Sequence, residues 1–354
     1  MRRGSGEEER AMITSVGVTN LRGIAKGELN ELTPLVVLVG PNGCGKSTIL
    51  DAMLIGASPN PAEAVGRSVR RHPGVRYGAT WLFWRAGGTG SATIVLQTDA
   101  GATRRSVMEL GLPAVTGSGH ANGPNQTIVR YKIAPEGHDP VAWANIKFGD
   151  WNEYELSFRN DPHHKAVAGV TNVKLIDVAE EWGLIPLPDL YSSVIFQGGS
   201  AGIRNMFAEV VDSLDDVRIL TEHGSPIVHL VFRTHSVPIA LAGDGISCLV
   251  RWALELASQP DGVILLEEPE VHQHPATLRL LAQAILAATR RGVQVVLSTH
   301  SLELIDSLLA QSDEEDLGRL SLYKLNLKDG ELLSARRSGP DVRFAREEIE
   351  RDLR

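Results

Sequence analysis

The apolar and polar positions along this chain change period three times. From Ile13 to Val18 they alternate loosely, as in a strand with one buried face. Leu35–Val39 is a continuous apolar run that stops at Gly40, which predicts a strand buried on both faces. Past the glycines, Ile49, Leu50 and Met53 recur at helical spacing between Ser47 and Ile55, and Gly56 is the expected stop. The opening therefore predicts strand, glycine loop, helix.

The middle of the chain reads differently. Ala92–Gln97, Thr127–Lys132 and Tyr154–Phe158 are short strand-like runs separated by Gly-, Asn- and Pro-rich turns, with Gly117–Pro124 expected as a mobile loop. The pattern predicts a largely antiparallel insertion. The last third returns to strand–helix alternation. Ile246, Leu249, Val250, Ala253, Leu256 and Ala257 form a helical stripe, and Val263–Leu266 is a buried-type strand. Leu278, Leu281, Ala282 and Ile285 mark a helix opened by Pro275 and closed by Arg290–Gly292. Val293–Ser298 is a third such strand, and a helix follows from Leu302 to Ala310. This alternation predicts an α/β fold with a mainly parallel core sheet, helices on both faces, and an antiparallel β-rich insertion. The expected boundaries are a flexible tail over 1–11, a discontinuous core over 12–56 and 227–354, and an insertion with a helical connector over 57–226.

Composition narrows the class of protein. The chain has 354 residues with 35 Lys and Arg against 43 Asp and Glu, a formal charge of −8, which argues against broad coating of nucleic acid. Two cysteines, Cys44 and Cys248, make neither a disulfide framework nor a metal-ligand spacing. No apolar run approaches the ~18 residues of a membrane span, and Met1–Arg10 shows no secretory signal. A cytoplasmic protein is expected.

Four motifs carry chemistry. Gly40-Pro41-Asn42-Gly43-Cys44-Gly45-Lys46-Ser47 matches the phosphate-binding loop pattern, with the buried strand before it and the helix after it that the mechanism requires. Glycines let successive N–H groups point at an anion, Lys46 reaches the terminal phosphates, and the Ser47 hydroxyl ligates Mg2+. In Val263–Glu270, the carboxylates Glu267, Glu268 and Glu270 at a strand end repel one another unless a cation relieves them. Glu267 is the candidate metal ligand and Glu268 the candidate general base. His300, in Ser298-Thr299-His300-Ser301 after the third strand, is a candidate γ-phosphate sensor. Gly243-Asp244-Gly245 at a helix start is a weaker anion cradle, readable also as an ordinary helix cap, and suited to serve a symmetry mate's nucleotide in trans.

With these elements in this order, the chain resembles the ABC-type P-loop ATPases of the SMC and double-strand-break-repair class. It is most similar to a short form of the OLD (overcoming-lysogenization-defect) branch. Asn20-Leu21-Arg22-Gly23-Ile24 resembles the Asn-Phe-Arg segment that opens those proteins, and Glu267–Pro275 resembles their Glu-Glu-Pro-Glu-x-x-Leu-His-Pro stretch, with Gln273 in the leucine's place. Gly243–Gly245 is similar to their degenerate signature. The resemblance implies that Asn20, Arg22 and Gly40 through Thr48 bind nucleotide, that Gln197 joins Ser47 and Glu267 at the metal, and that ATP and Mg2+ are the cofactors. It also implies a homodimer closing around two Mg-ATP, with a separate effector protein such as a nuclease as partner. No heptad stretch is long enough for a coiled coil, and with 54 residues after His300 the chain is expected to lack the TOPRIM nuclease domain of full OLD proteins. The expected activity is ATP hydrolysis that drives or gates the effector, in DNA maintenance or phage defence. The alternatives are a nucleotide-gated switch and, on weaker grounds, a transporter ATPase subunit.

Two weaker features remain. Glu270, His272 and His274 resemble a zinc cluster only superficially, since the carboxylate loop already accounts for them. Arg67, Arg70, Arg71, His72 and Arg76 read as a solvated loop, with contact to DNA phosphates or a partner as the alternative.

Overall fold

The computed structural model describes residues 12–72, 74–86, 88, 90–111, 127–135, 141–158, 172–177, 185–209, 211–348 and 352–353. The expected tail over 1–11 and the glycine-rich loop at 117–124 lie outside the described residues. The chain opens with β1 (Ile13–Leu21), β2 (Ile24–Asn30) and β3 (Leu35–Val39), then α1 (Lys46–Ala57) and α2 (Pro61–Arg70). Strands β4 (Ser91–Thr98), β5 (Thr103–Gly111), β6 (Thr127–Pro135), β7 (Val141–Phe148), β8 (Tyr154–Phe158) and β9 (Val173–Asp177) follow. Then come α3 (Leu187–Phe196), α4 (Ser200–Ala208), β10 (Leu214–Glu222), β11 (Ser225–Phe232), β12 (Ser236–Pro238) and α5 (Asp244–Ser258). The last part holds β13 (Val263–Glu267), α6 (Pro275–Arg290), β14 (Gln294–Ser298), α7 (Leu302–Gln311), α8 (Glu314–Gly318), β15 (Leu320–Lys328), β16 (Glu331–Ser338) and α9 (Gly339–Glu347).

The chain forms two compact units: residues 1–33, 40–175 and 323–335 in the first, and 34–39, 176–322 and 336–354 in the second. In the first, β8-β7-β6-β5-β4-β1-β2 is an antiparallel array, with β16 beside β2 in parallel. Alternation in β4 buries Ala92, Ile94 and Leu96, and α1 packs on β1 and β4. Gly56 is not the stop the sequence suggests. It lies inside α1, where an added methyl would stand 2.7 Å from Leu96 Cδ1, so its small size serves helix–strand packing.

The basic stretch is corrected more sharply. Arg67 and Arg70 belong to α2, whose start is set by Pro61 and by the Asn60 side chain accepting from Glu63 N–H. Arg71 is buried beside Asp51, so this stretch is not a solvated loop.

In the second unit, β3, β14 and β13 run parallel, with Leu297 opposite both Leu266 and Val37. Every residue of β3 and β14 is buried, Gln294 and Ser298 at the ends of β14 included, as in strands covered on both faces. Helices α5, α6 and α7 pack side by side, joining Leu249, Trp252, Leu281, Ile285, Leu304 and Leu308 to the core of Val37, Leu266 and Leu297. A separate antiparallel sheet runs β10-β11-β12.

Asp316 ties this unit together electrostatically. Burial alone raises its pKa, but hydrogen bonds from Arg290 (Nε to Oδ1 3.0 Å) and from Asp313 N–H hold it below the usual carboxylate value. A depressed folded-state pKa adds stability above the unfolded value and loses it as pH falls through the folded value. Asp316→Asn is therefore expected to be less stable than wild type near neutrality. The gap in urea midpoint should narrow as pH drops below about 4.

Candidate nucleotide site and signature loop

The phosphate loop begins where the chain leaves β3. It turns through Gly40, Gly43 and Gly45 at φ +142°, +75° and +99°. These are conformations that side chains resist, and at Gly40 a methyl would also collide with Leu325 O and Cys44 Sγ. The loop delivers α1 with Gly45 as its first flanking residue, no side-chain cap and no acidic residue in the first turn. First-turn N–H groups have no partner within a helix and carry its positive pole. Lys46 is only 6% exposed, and its Nζ donates to Gly40 O (2.9 Å) and Pro41 O (3.3 Å). An amide socket with a sequestered ammonium fits a phosphate chain. Among the described residues no three His, Cys, Asp or Glu side chains converge as a metal site. Mg2+ commonly takes most of its ligands from phosphates and water, with one or two from protein, so single oxygens such as the Ser47 hydroxyl suit it.

One turn into α1 lies a group that sequence reading missed. Asp51 is fully buried, with Arg22 Nε 2.8 Å from Oδ2 and Arg71 Nη1 2.7 Å from Oδ1. Arg22 also donates to Ser68 O at 2.7 Å and Ser68 Oγ at 3.1 Å. Asn20 near the end of β1 and Arg22 in the β1–β2 turn both adopt positive φ, and Asn20 O accepts from Trp84 N–H. The structure thus couples Arg22 to the loop's own helix through Asp51.

The second unit assembles the carboxylates and the histidine. Glu267 ends β13 opposite Ser298. Glu268 then turns at φ +43°, its N–H bonded to Ser298 O at 3.1 Å, and its Oε1 lies 3.4 Å from His300 Nε2. Glu270 Oε1 accepts from the Thr299 hydroxyl (2.7 Å) and from His300 N–H (2.8 Å). That carboxylate fixes the backbone carrying the histidine. His274 Nδ1 accepts from Ala276 N–H and caps α6. Gln273, the departure from the resembled pattern, donates to Gly245 O at 3.2 Å and so joins the carboxylate loop to the start of α5.

Gly243 adopts φ +95° before α5, and a methyl on Gly245 would meet His272 O. Unlike α1, α5 carries an acid, Asp244, in its first turn. Gln197 is exposed just past the end of α3, so the apolar run before it is helical.

The comparisons bear on the domains and the fold. A family model described as "AAA domain, putative AbiEii toxin, Type IV TA system" matches residues 188–306, and one described as "AAA domain" matches residues 15–65. The fold is similar to an SmcHead bound to the C-winged helix domain of ScpA (TM-score 0.53, 14% identity, 92% of this chain and 98% of that one). It is also similar to an Smc head domain with an extended coiled coil bound to the C-terminal domain of ScpA derived from Pyrococcus furiosus (TM-score 0.54, 13% identity, 96% and 100%). Fold and matched domains together define a mixed α/β P-loop protein with AAA-type ATPase domains and the fold of SMC heads.

The alignment with "Uncharacterized protein MJECL11" of Methanocaldococcus jannaschii is 36% identical over 115 residues, covering 32% of this chain and 98% of that protein. The chain belongs to the same family as that archaeal protein. A weaker likeness, 28% over 130 residues, is to ATP-binding cassette sub-family A member 13 of Homo sapiens, of which the chain spans 3%. Among the described residues no helix is long and apolar enough to cross a membrane.

Proposed function

We propose that this chain is an ATP-hydrolysing member of the OLD-like branch that acts as a homodimer and drives or gates a separate effector, such as a nuclease. The observation that carries the reading is the Lys46 ammonium, buried among the carbonyls of a glycine loop at an uncapped helix start. In this reading Lys46 and the amides of Gly43 through Thr48 take the phosphates, and Ser47 takes Mg2+. Glu267 is the metal-directed carboxylate, and Glu268 polarises the attacking water. His300 senses the terminal phosphate while Glu270 holds its backbone. Bound Mg2+ supplies charge neutralisation on the phosphates. Gly243–Gly245 acts in trans on the partner subunit's nucleotide.

The 3.4 Å approach of His300 to Glu268 supports the division of labour. A base and a sensor in contact let one report on the other's occupancy. Gln197, exposed after a helix, has the least support among the metal candidates.

The test is direct. In calorimetric titration the wild-type chain binds Mg-ATP, and Lys46→Ala loses about 10- to 100-fold in affinity, the worth of one charge-assisted contact. A folded wild-type sample that ignores both Mg-ATP and Mg-GTP ends the reading.

A further inference from the structure

We infer that an arginine-and-tryptophan surface of the first unit binds single-stranded nucleic acid, stacking unpaired bases on its rings and holding phosphates with its guanidinium groups. None of its residues belongs to the phosphate loop. Between Glu63 and Asp99 the chain carries five arginines and no carboxylate, in a protein whose formal charge is −8. Such a stretch is a local footprint for a polyanion. Two of the arginines are spent inside, Arg67 on Leu175 O and Arg71 on Asp51. Arg76 and Arg85 are exposed, and Trp81 and Trp84 lie between them in the chain.

Hydrogen bonds pin this stretch to the β7–β8 turn. Asn152, buried at φ +69°, donates from Nδ2 to Val75 O and accepts at Oδ1 from Gly78 N–H, both at 2.8 Å. Tyr77 N–H donates to Asp150 O at 3.1 Å. Trp151 is thereby set beside Arg76, whose guanidinium lies over its ring, 4.8 Å from the centroid. Arg85 lies over Trp84 in the same way, at 5.5 Å. Val75, Trp81, Trp84 and Arg85 share the wall of one recess, so these groups form a continuous surface, all of it within the first unit.

Trp81 is 55% exposed and Trp151 63%. Indole left in water regains contact when another planar ring stacks on it. Arg76 has Asp150 at 3.6 Å, and an exposed pair of that length holds it weakly. Among the described residues no carboxylate pairs with Arg85. A guanidinium lying on a ring keeps its N–H edge for a phosphate. The chemistry then selects among polyanions. An acidic peptide matches the charges but brings no planar face at each step, and a duplex hides its base faces inside the stack. An unpaired strand offers phosphates and π-faces together.

The experiment measures fluorescence anisotropy of end-labelled oligothymidine, oligouridine and a DNA duplex, each of about 15 nucleotides, titrated with the full chain. At least one of the strands should bind about tenfold or more tightly than the duplex, the scale of one base–aromatic stack. Binding by either supports the site, and their ratio tells a DNA ligand from an RNA ligand. Trp81→Ala and Trp151→Ala should each weaken strand binding roughly 5- to 100-fold, and Trp151→Phe should keep most of it. Arg85→Ala should reduce the salt slope of log affinity by about 0.7. If Trp81→Ala melts early, Trp151→Ala carries the test, because that ring lies largely outside the core.

Tighter binding of duplex than of either strand overturns the inference, as do ringless variants that bind like wild type. Displacement of the strand by Mg-ATP also overturns it, since the strand would then occupy the phosphate loop. Failure of both strands to bind overturns it in favour of a protein partner. Each of these results leaves the ATPase proposal standing.

Discussion

Glu268→Gln is expected to bind Mg-ATP about as well as wild type and to turn it over some 10²- to 10⁴-fold more slowly, the usual share of a positioned general base. The amide keeps the size of the side chain and its backbone bond to Ser298, so the β13 end is undisturbed. It removes the charge and basicity that let the carboxylate accept a proton from water. The 3.4 Å approach to His300 Nε2 keeps a hydrogen-bonding partner, which should preserve the histidine's placement. Steady-state phosphate release measures the loss, and calorimetry measures the retained binding.

The same variant separates an engine from a switch. If turnover drives the effector, downstream activity disappears with hydrolysis. If bound nucleotide alone clamps the dimer, Glu268→Gln retains full downstream activity, and the enzymatic reading gives way to the nucleotide-gated one. Size-exclusion chromatography with light scattering, in ATP and without it, reads the dimer directly.

Asp51→Ala is expected to destabilise the first unit by about 3–5 kcal/mol, the cost of deleting one partner of a buried ion pair. Arg71 is as buried as the carboxylate it faces, so it cannot recover its hydration by turning outward. Arg22 is better placed, at 17% side-chain exposure, and retains Ser68 as acceptor. Thermal denaturation followed by circular dichroism should show a midpoint lower by on the order of 10 °C. Replacing Asp51 and Arg71 together by apolar residues of similar volume should recover much of that loss, because the most deeply buried cation is then gone and the Arg22 guanidinium keeps Ser68 as acceptor. A single variant that melts like wild type would remove Asp51 from any structural role.

The parallel strands and the loop were legible in the sequence because their signals are local. Leu35–Val39, Val263–Leu266 and Val293–Ser298 are short apolar runs flanked by turns, and the structure forms β3, β13 and β14 there. The helices starting at Lys46, Asp244, Pro275 and Leu302 follow stripes and caps read within one or two turns. What was not legible depends on partners far along the chain. Asp51 interrupts an apolar stripe and looks like an ordinary polar position, since Arg22 and Arg71 lie 29 and 20 residues away.

Glu270 looked like a third repelling carboxylate. The groups that donate to it, the Thr299 hydroxyl and the His300 N–H, come from another strand end. Charge density misled the reading of α2, because Arg67, Arg70 and Arg71 suggested solvent while Asn60 and Pro61 specified a helix start. Strands β15 and β16 escaped notice because polar residues interrupt β15 and most of β16 is exposed. The roles of the nucleotide-site residues came from motif chemistry, and the geometry adds the anchors that hold them.

The six residues Pro34–Val39 belong to the second unit although the sequence on both sides of them belongs to the first. The threading repeats near the end, where Tyr323–Ala335 returns to the first unit before the chain goes back. Neither unit is therefore a contiguous stretch that scissors could free. A truncation meant to isolate the parallel core would discard β3, its paired neighbour to β14, and so expose one edge of that sheet. Work on separate halves of this molecule calls for rearranged or split genes rather than shortened ones.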